Sequence, residues 1–146
     1  MEEIELTISE GTLREYEKYY FQEHPRARKQ PIAKPYHPTI NQWMVMKRPE
    51  MNATKQKWKD FIRWFITAQG YANLRIDKCE MIFTTYYQTN RRHDVDNSCP
   101  KFILDGFTES GFIVDDDSRH LLSLTMRCEV DSENPRTEIL VNIFDE

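Results

Sequence analysis

At 146 residues, 39% of them hydrophobic, the chain has the size of one domain with one modest core. No apolar run approaches the ~18 residues that span a bilayer. The start, MEEIELTISEG, lacks the basic and apolar blocks of a signal peptide, so a cytoplasmic location without a membrane is expected. The net charge of −4 hides an asymmetry: from His24 to Asp60 nine Lys/Arg face only Glu50 and Asp60, and the rest is acidic. Cys79, Cys99 and Cys128 are widely spaced without a CxxC pair, which reads as ordinary buried or half-buried thiols.

Ile4, Leu6 and Ile8 alternate, so residues 1–8 read as a short strand. Leu13, Tyr16, Tyr20 and Phe21 have helical spacing and predict a helix over about 12–23, limited by Pro25. Pro25, Pro31, Pro35 and Pro38 then interrupt a basic stretch, which reads as an extended arm or ordered loop up to about residue 40. Trp43, Val45 and Lys47 alternate with Gln42, Met44 and Met46, predicting a strand that Pro49 ends. With Asn52 or Thr54 as N-cap, Trp58, Phe61, Ile62, Phe65 and Ile66 mark an amphipathic helix that Gly70 stops. Lys55, Lys57 and Lys59 fall near its expected start, where they oppose the helix dipole and suit an anion, or are plain surface lysines.

Residues 76–88 read as a long strand with Cys79, Met81, Phe83 and Tyr87 on one side. Pro100 suits a first helical turn, Asn97 or Ser98 can cap, and Phe102, Ile103 and Phe107 give an apolar face to a helix over about 99–109, stopped by Gly111. Leu122, Leu124, Met126 and Cys128 alternate, as do Ile139, Val141 and Ile143, with the turn-rich DSENPR between them. A C-terminal antiparallel hairpin is expected. The whole predicts an α+β fold: one two-layer domain over 1–146, a mixed sheet with helices packed on it.

Asp94 and Asp96 sit one residue apart in a segment expected to be extended, so both can aim at one point. If the return strand brings Asp116 or Asp117 beside them, three carboxylates converge and repel one another until a cation joins them. Hard oxygen donors suit Mg²⁺, with Mn²⁺ able to substitute. Arg91, Arg92 and Lys101 nearby suggest an anionic substrate. Such a metal can polarise a phosphoryl oxygen, and a neighbouring lysine can offset transition-state charge. The same residues also read as a helix cap at Asp96-Asn97 and a solvated turn at Asp115–Asp117. With four glycines and no Gly-rich phosphate loop, no nucleotide cofactor is expected. His93 and His120 could be ligands or bases, but a surface or hydrogen-bonded role is the favoured reading for them, as for His24 and His37 in the arm.

Taken together, HDVDNSCPKFILDGFTESGFIVDDDSRH resembles the signature region of RusA-type Holliday-junction resolvases, the crossover-junction endodeoxyribonucleases often carried by phages. The likeness lies in Asp94-x-Asp96-Asn97, Lys101, Asp105-Gly106, Gly111-Phe112-Ile113 and Asp116-Asp117-Ser118. It spans about 91–127, extends more weakly over Pro38–Gly70, and has no counterpart for 9–37. It implies a RusA-like fold and a homodimer that nicks four-way DNA junctions symmetrically with Mg²⁺ in recombination and repair. Asp94 and Asp96 would be metal ligands and catalytic, with Asp116 or Asp117 as the third ligand. Lys101 would match the family's functional lysine, although it lies five residues after Asp96 instead of four. Arg91, Arg92, His93, Lys101, Lys47, Arg48, Lys55 and Lys57 are the expected DNA contacts, mostly to phosphates. A different metal-dependent nuclease on branched or flap DNA, and a non-catalytic DNA-binding protein with the same fold, are the alternatives.

Overall fold

Strand β1 (Glu2–Ser9) buries Ile4, Leu6 and Ile8 on one face. The structure is a computed structural model that describes residues 2–144. Helix α1 (Glu10–Glu23) begins two residues before the expected start, because Ser9 and Thr12 cap it reciprocally. The arm that follows is ordered against the domain. Thr137 Oγ1 donates to the Pro35 carbonyl at 2.7 Å, the Tyr36 ring meets Tyr87 edge-on, and the buried His37 contacts Trp58 and Phe102.

The strand expected over 42–47 does not form. Thr39 accepts the Gln42 amide while the Gln42 side chain returns to the Thr39 amide, so the chain turns into a short helix, α2 (Ile40–Met44). Such a capping box satisfies two free amides locally and outweighs a six-residue alternation that has no partner strand. Helix α3 (Arg48–Gln69) likewise starts earlier than expected, with Lys47 as N-cap and Pro49 in its first turn. Neither Asn52 nor Thr54 caps it. Trp58, Phe61, Ile62, Phe65 and Ile66 are its buried face, each contributing ~1.5–3 kcal/mol on burial. It ends at Gly70, whose φ of 85° suits the left-handed cap.

Strand β2 (Cys79–Tyr87) has the expected alternation. A 3-10 turn (Val95–Ser98) and helix α4 (Lys101–Glu109) follow. Neither Asn97 nor Ser98 caps α4. Pro100 occupies the cap, and the Ser98 hydroxyl donates instead to the Val95 carbonyl. Gly106 lets α4 approach α3 closely: a Cβ there would lie 2.6 Å from that of Ile62.

Strands β3 (Leu121–Val130) and β4 (Arg136–Ile143) complete a mixed sheet of order β1-β4-β2-β3. The expected hairpin is not present. β2 lies between the two strands, parallel to β3 and antiparallel to β4, and β4 also pairs with β1. The physical reason lies in the side chains. β2 and β4 bury one full face, suiting central positions, whereas β3 is largely exposed and suits an edge. The buried faces of β1, β2 and β4 join α3 and α4 in one core, so the protein is a two-layer α+β domain. The cysteines are free, Cys79 buried and Cys99 and Cys128 half-buried. Among the described residues no helix is long and apolar enough to cross a membrane.

Candidate metal centre and its basic surroundings

Asp94 is extended and opens the 3-10 turn, and Asp96 lies within that turn. The extended alternation expected for the pair is therefore replaced by a turn, closed by the Asn97 amide donating to the Asp94 carbonyl at 3.0 Å. Asp-Val-Asp-Asn-Ser is rich in short polar side chains that support such turns. Asp94 and Asp96 nevertheless line one small pocket of about 220 Å³ with Asn41 and Asn97. Asn97 Oδ1 accepts the Asn41 amide at 2.9 Å, which ties α2 to the turn. The Asp94 side chain is 68% exposed, and its nearest cation is Arg92, with Nε 3.8 Å from Oδ1.

The acidic run 115–117 enters elsewhere. Because β3 runs parallel to β2, it starts beside Cys79, whose amide donates to the His120 carbonyl. The segment bearing Asp94 leaves from the other end of β2, at Tyr87. Asp115 and Asp116 line a recess of about 420 Å³ with Asp105, Glu109, Lys55, Lys59 and Lys101. Asp115 Oδ1 accepts the Asp116 amide at 2.7 Å. Burial, together with the Asp115 and Asp105 carboxyls, raises the Asp116 pKa. Asp117 does not line the recess. Its carboxylate accepts the Arg119 amide, and its carbonyl accepts those of His120 and Leu121. His120 contacts Asp77 through Nδ1, and that contact raises its pKa.

Lys101 Nζ stands 3.9 Å from Asp105 Oδ1, and Lys55 Nζ stands 3.9 Å from Asp105 Oδ2. Lys59 reaches Glu109 at 2.9 Å, and Arg63 also pairs with Glu109. Lys55 and Lys59 are thus one turn apart on α3 and answer Asp105 and Glu109, one turn apart on α4. Because α3 begins at Arg48, these lysines lie in its third and fourth turns and do not oppose the dipole at its start. Lys57 lies instead beneath the arm, beside Trp58 and His37. Lys47 and Arg48 sit at the α3 start. Glu109, which lines the recess and pairs with Lys59, was not singled out from the sequence, and the ion pairs of Asp105 and Lys59 across the two helices were not foreseen. The matched i, i+4 spacings on two helices were the available signal.

Magnesium is commonly held by one or two carboxylates together with substrate oxygens and water. Asp94 and Asp96 fit that donor set: hard, exposed, and sharing a pocket. Among the described residues, however, no three His, Cys, Asp or Glu side chains gather as a metal-holding group. The structure therefore brings Asp94 together with Asp96, and Asp116 together with Lys101, but does not join the two sets. No protein-family model matches the chain, and no curated protein matches it.

Proposed function

We propose that this chain is a Mg²⁺-dependent endonuclease that resolves four-way DNA junctions by paired nicks, acting as a homodimer in the cytoplasm of a bacterial or phage-infected cell. The observation that carries the reading is the shared pocket of Asp94 and Asp96, open to solvent and with Arg92 beside Asp94. The spacing of Asp94-x-Asp96-Asn97, Lys101, Asp105-Gly106 and Asp116-Asp117 supports the same reading. Mg²⁺ held by Asp94 and Asp96, with Mn²⁺ as a substitute, would supply Lewis-acid activation of the scissile phosphate. The chain's own residues do the rest. Arg91 and Arg92 neutralise phosphates beside the pair. Lys101, half-exposed at the start of α4, offers a positive charge for negative charge developing in the transition state. Asp105 holds that ammonium in place. A two-fold dimer would present two such sites to opposed strands of a junction.

The test is Asp96→Asn with Mg²⁺ and a labelled four-way junction, a flap and a linear duplex as substrates. Cleavage falls by at least ~10²-fold while junction binding persists or tightens. Unchanged cleavage would sink the metal-site reading, and equal cutting of flaps would make the chain a general branched-DNA nuclease. The separation of Asp116 from the Asp94/Asp96 pocket favours a second reading, a non-catalytic junction-binding protein. That reading requires tight junction binding with no Mg²⁺- or Mn²⁺-dependent nicks.

A further inference from the structure

A second pocket adjoins the acidic pair, and its chemistry differs from both acidic sites. It measures about 260 Å³ and includes Lys34 and Tyr36 of the arm, Tyr87 at the end of β2, and Arg91 and His93 of the loop beyond. It has no acidic lining residue, in a chain where acids outnumber Lys and Arg by 24 to 20. Among the described residues, neither Lys34 nor Arg91 joins an ion pair. Two exposed cations thus stand uncompensated over one cavity.

Its wall is aromatic and fixed. The His93 ring lies flat on Tyr87 with centroids 3.7 Å apart and planes within 7°, and Tyr36 meets Tyr87 edge-on at 4.9 Å. One ring nitrogen of His93 is buried without a hydrogen-bond partner. Gln42, Gln88 and Thr39 add amide and hydroxyl groups at the margin. The pocket is continuous in sequence with the acidic pair on two sides. His93 precedes Asp94, and Thr39 and Gln42 bracket Ile40 and Asn41, which line the Asp94/Asp96 pocket.

The half-buried Tyr36 and His93 rings, backed by the buried Tyr87, suit an unstacked base, free Lys and Arg suit its phosphate, and amides suit its hydrogen-bonding edge. The volume lies just under the ~300 Å³ at which small-ligand sites begin, so it suits one nucleotide and not a stacked pair. We propose that the Lys34–Tyr36–Tyr87–Arg91–His93 pocket takes a single unpaired nucleotide of the DNA strand whose neighbouring phosphate meets Asp94 and Asp96. The proposal rests on the nuclease reading for the identity of its ligand. It gives a reason for branched over linear substrates, since a nucleotide at a branch point, where stacking is interrupted, is extruded at lower cost than one inside a continuous duplex.

The test uses the full chain in EDTA, where no metal-dependent cutting occurs, with a single-stranded oligonucleotide carrying one 2-aminopurine. The wild type binds it and changes its fluorescence. Lys34→Ala/Arg91→Ala weakens binding by about tenfold or more and lowers the salt slope by about 1.4, ~0.7 for each lost phosphate contact. Lys34→Arg retains binding. Tyr36→Leu abolishes the fluorescence change, and Tyr36→Phe keeps it. Absence of single-strand binding, an unchanged affinity in the double variant, or a persistent signal in Tyr36→Leu would each overturn the pocket. The nuclease reading is scored separately, by junction cleavage in Mg²⁺. A chain that binds the probe and never nicks a junction loses that reading alone.

Discussion

Asp94 and Asp96 are exposed, with Arg92 3.8 Å from Asp94, whereas Asp105, Asp115 and Asp116 share a recess with three lysines. The first pair is held by backbone, through a 3-10 turn and the Asn41–Asn97 bond, and among the described residues its carboxylates meet only the highly exposed Arg92, at Asp94. The second set is compensated from within: Asp105 is only 19% exposed and lies between Lys55 and Lys101. A free exposed pair is available to a cation brought with substrate. A lysine-filled recess is already near neutral and attracts neither a divalent ion nor a phosphate strongly. The difference makes the open pair the better metal candidate and gives the recess the work of docking α4 and placing Lys101.

The comparison breaks most sharply at Asp116. If recess and open pair act on one phosphate, Asp116→Asn lowers junction cleavage by ~10²–10³-fold with binding intact. Asp117→Asn then stays within about threefold of wild type, because its carboxylate serves the Arg119 amide in a turn. Equal single-turnover rates for Asp116→Asn and wild type would assign the recess to structure alone.

His37 tests how the arm is held beside the open pair. It is 6% exposed, its Nε2 accepts the Phe102 amide at 3.0 Å, and its Nδ1 lies 2.5 Å from the Pro38 carbonyl. That pattern requires the neutral ring with the proton on Nδ1. Burial lowers its pKa to about 4 from the usual 6.5, the carbonyl contact opposing. The unfolded chain therefore binds more protons between those values. Stability is full above about pH 6.5 and declines as pH falls towards 4, by roughly 3 kcal/mol in all. His37→Gln keeps an acceptor without the titration. Urea melts from pH 7 to 4 lose most of that slope in the variant; an unchanged slope would assign the acid sensitivity to other groups.

The elements that could be read from the sequence are those whose local and global signals agree. The face from Trp58 to Ile66 and the alternation of Cys79, Met81 and Phe83 specify α3 and β2, since helix and sheet periods survive any topology. Trp43 and Val45 misled because a local capping box at Thr39 outranked their alternation. The C-terminal pairing misled because alternation fixes a strand's faces, not its neighbours, and β2 is inserted between β3 and β4. The acidic residues were legible as types but not as a cluster. Their separation follows from the parallel β2–β3 pairing, which sends Asp115–Asp117 to the opposite end of β2 from the Asp94 segment.

Gly106 sharpens the contrast from the structural side, because it seats the helix that carries Lys101 and Asp105. A methyl group at this position would meet Ile62 Cβ and Cγ2 at 2.6 and 2.7 Å. Gly106→Ala gains helix propensity of ~1 kcal/mol but must push α4 from α3, and overpacking of this kind costs ~1–3 kcal/mol. A net loss of up to about 2 kcal/mol in chemical denaturation is expected. No loss in the variant would mean that α4 is free to shift.

The smallest effect belongs to the ladder between α3 and α4. Glu109 is held below the usual carboxylate range, first by its hydrogen bond from Lys59 and then by Arg63, with burial opposing. The sign follows: the unfolded chain binds more protons than the native one, so this stabilisation is present above the unfolded glutamate pKa and is lost as pH falls through the lowered native value. Both partners of the Lys59–Glu109 pair reach solvent, at 24% and 38% exposure. Screening therefore limits the pair to under about 1 kcal/mol. Lys59→Met keeps the aliphatic stem and removes the charge, so its destabilisation at pH 7 is a few tenths of a kcal/mol, shrinking at pH 3 and in 1 M salt. Arg63 keeps Glu109 paired in the variant. A loss above ~2 kcal/mol, insensitive to salt, would show that the ladder is buried far more deeply than the recess beside it and would remove the reason for treating that recess as a solvated, self-neutralised region.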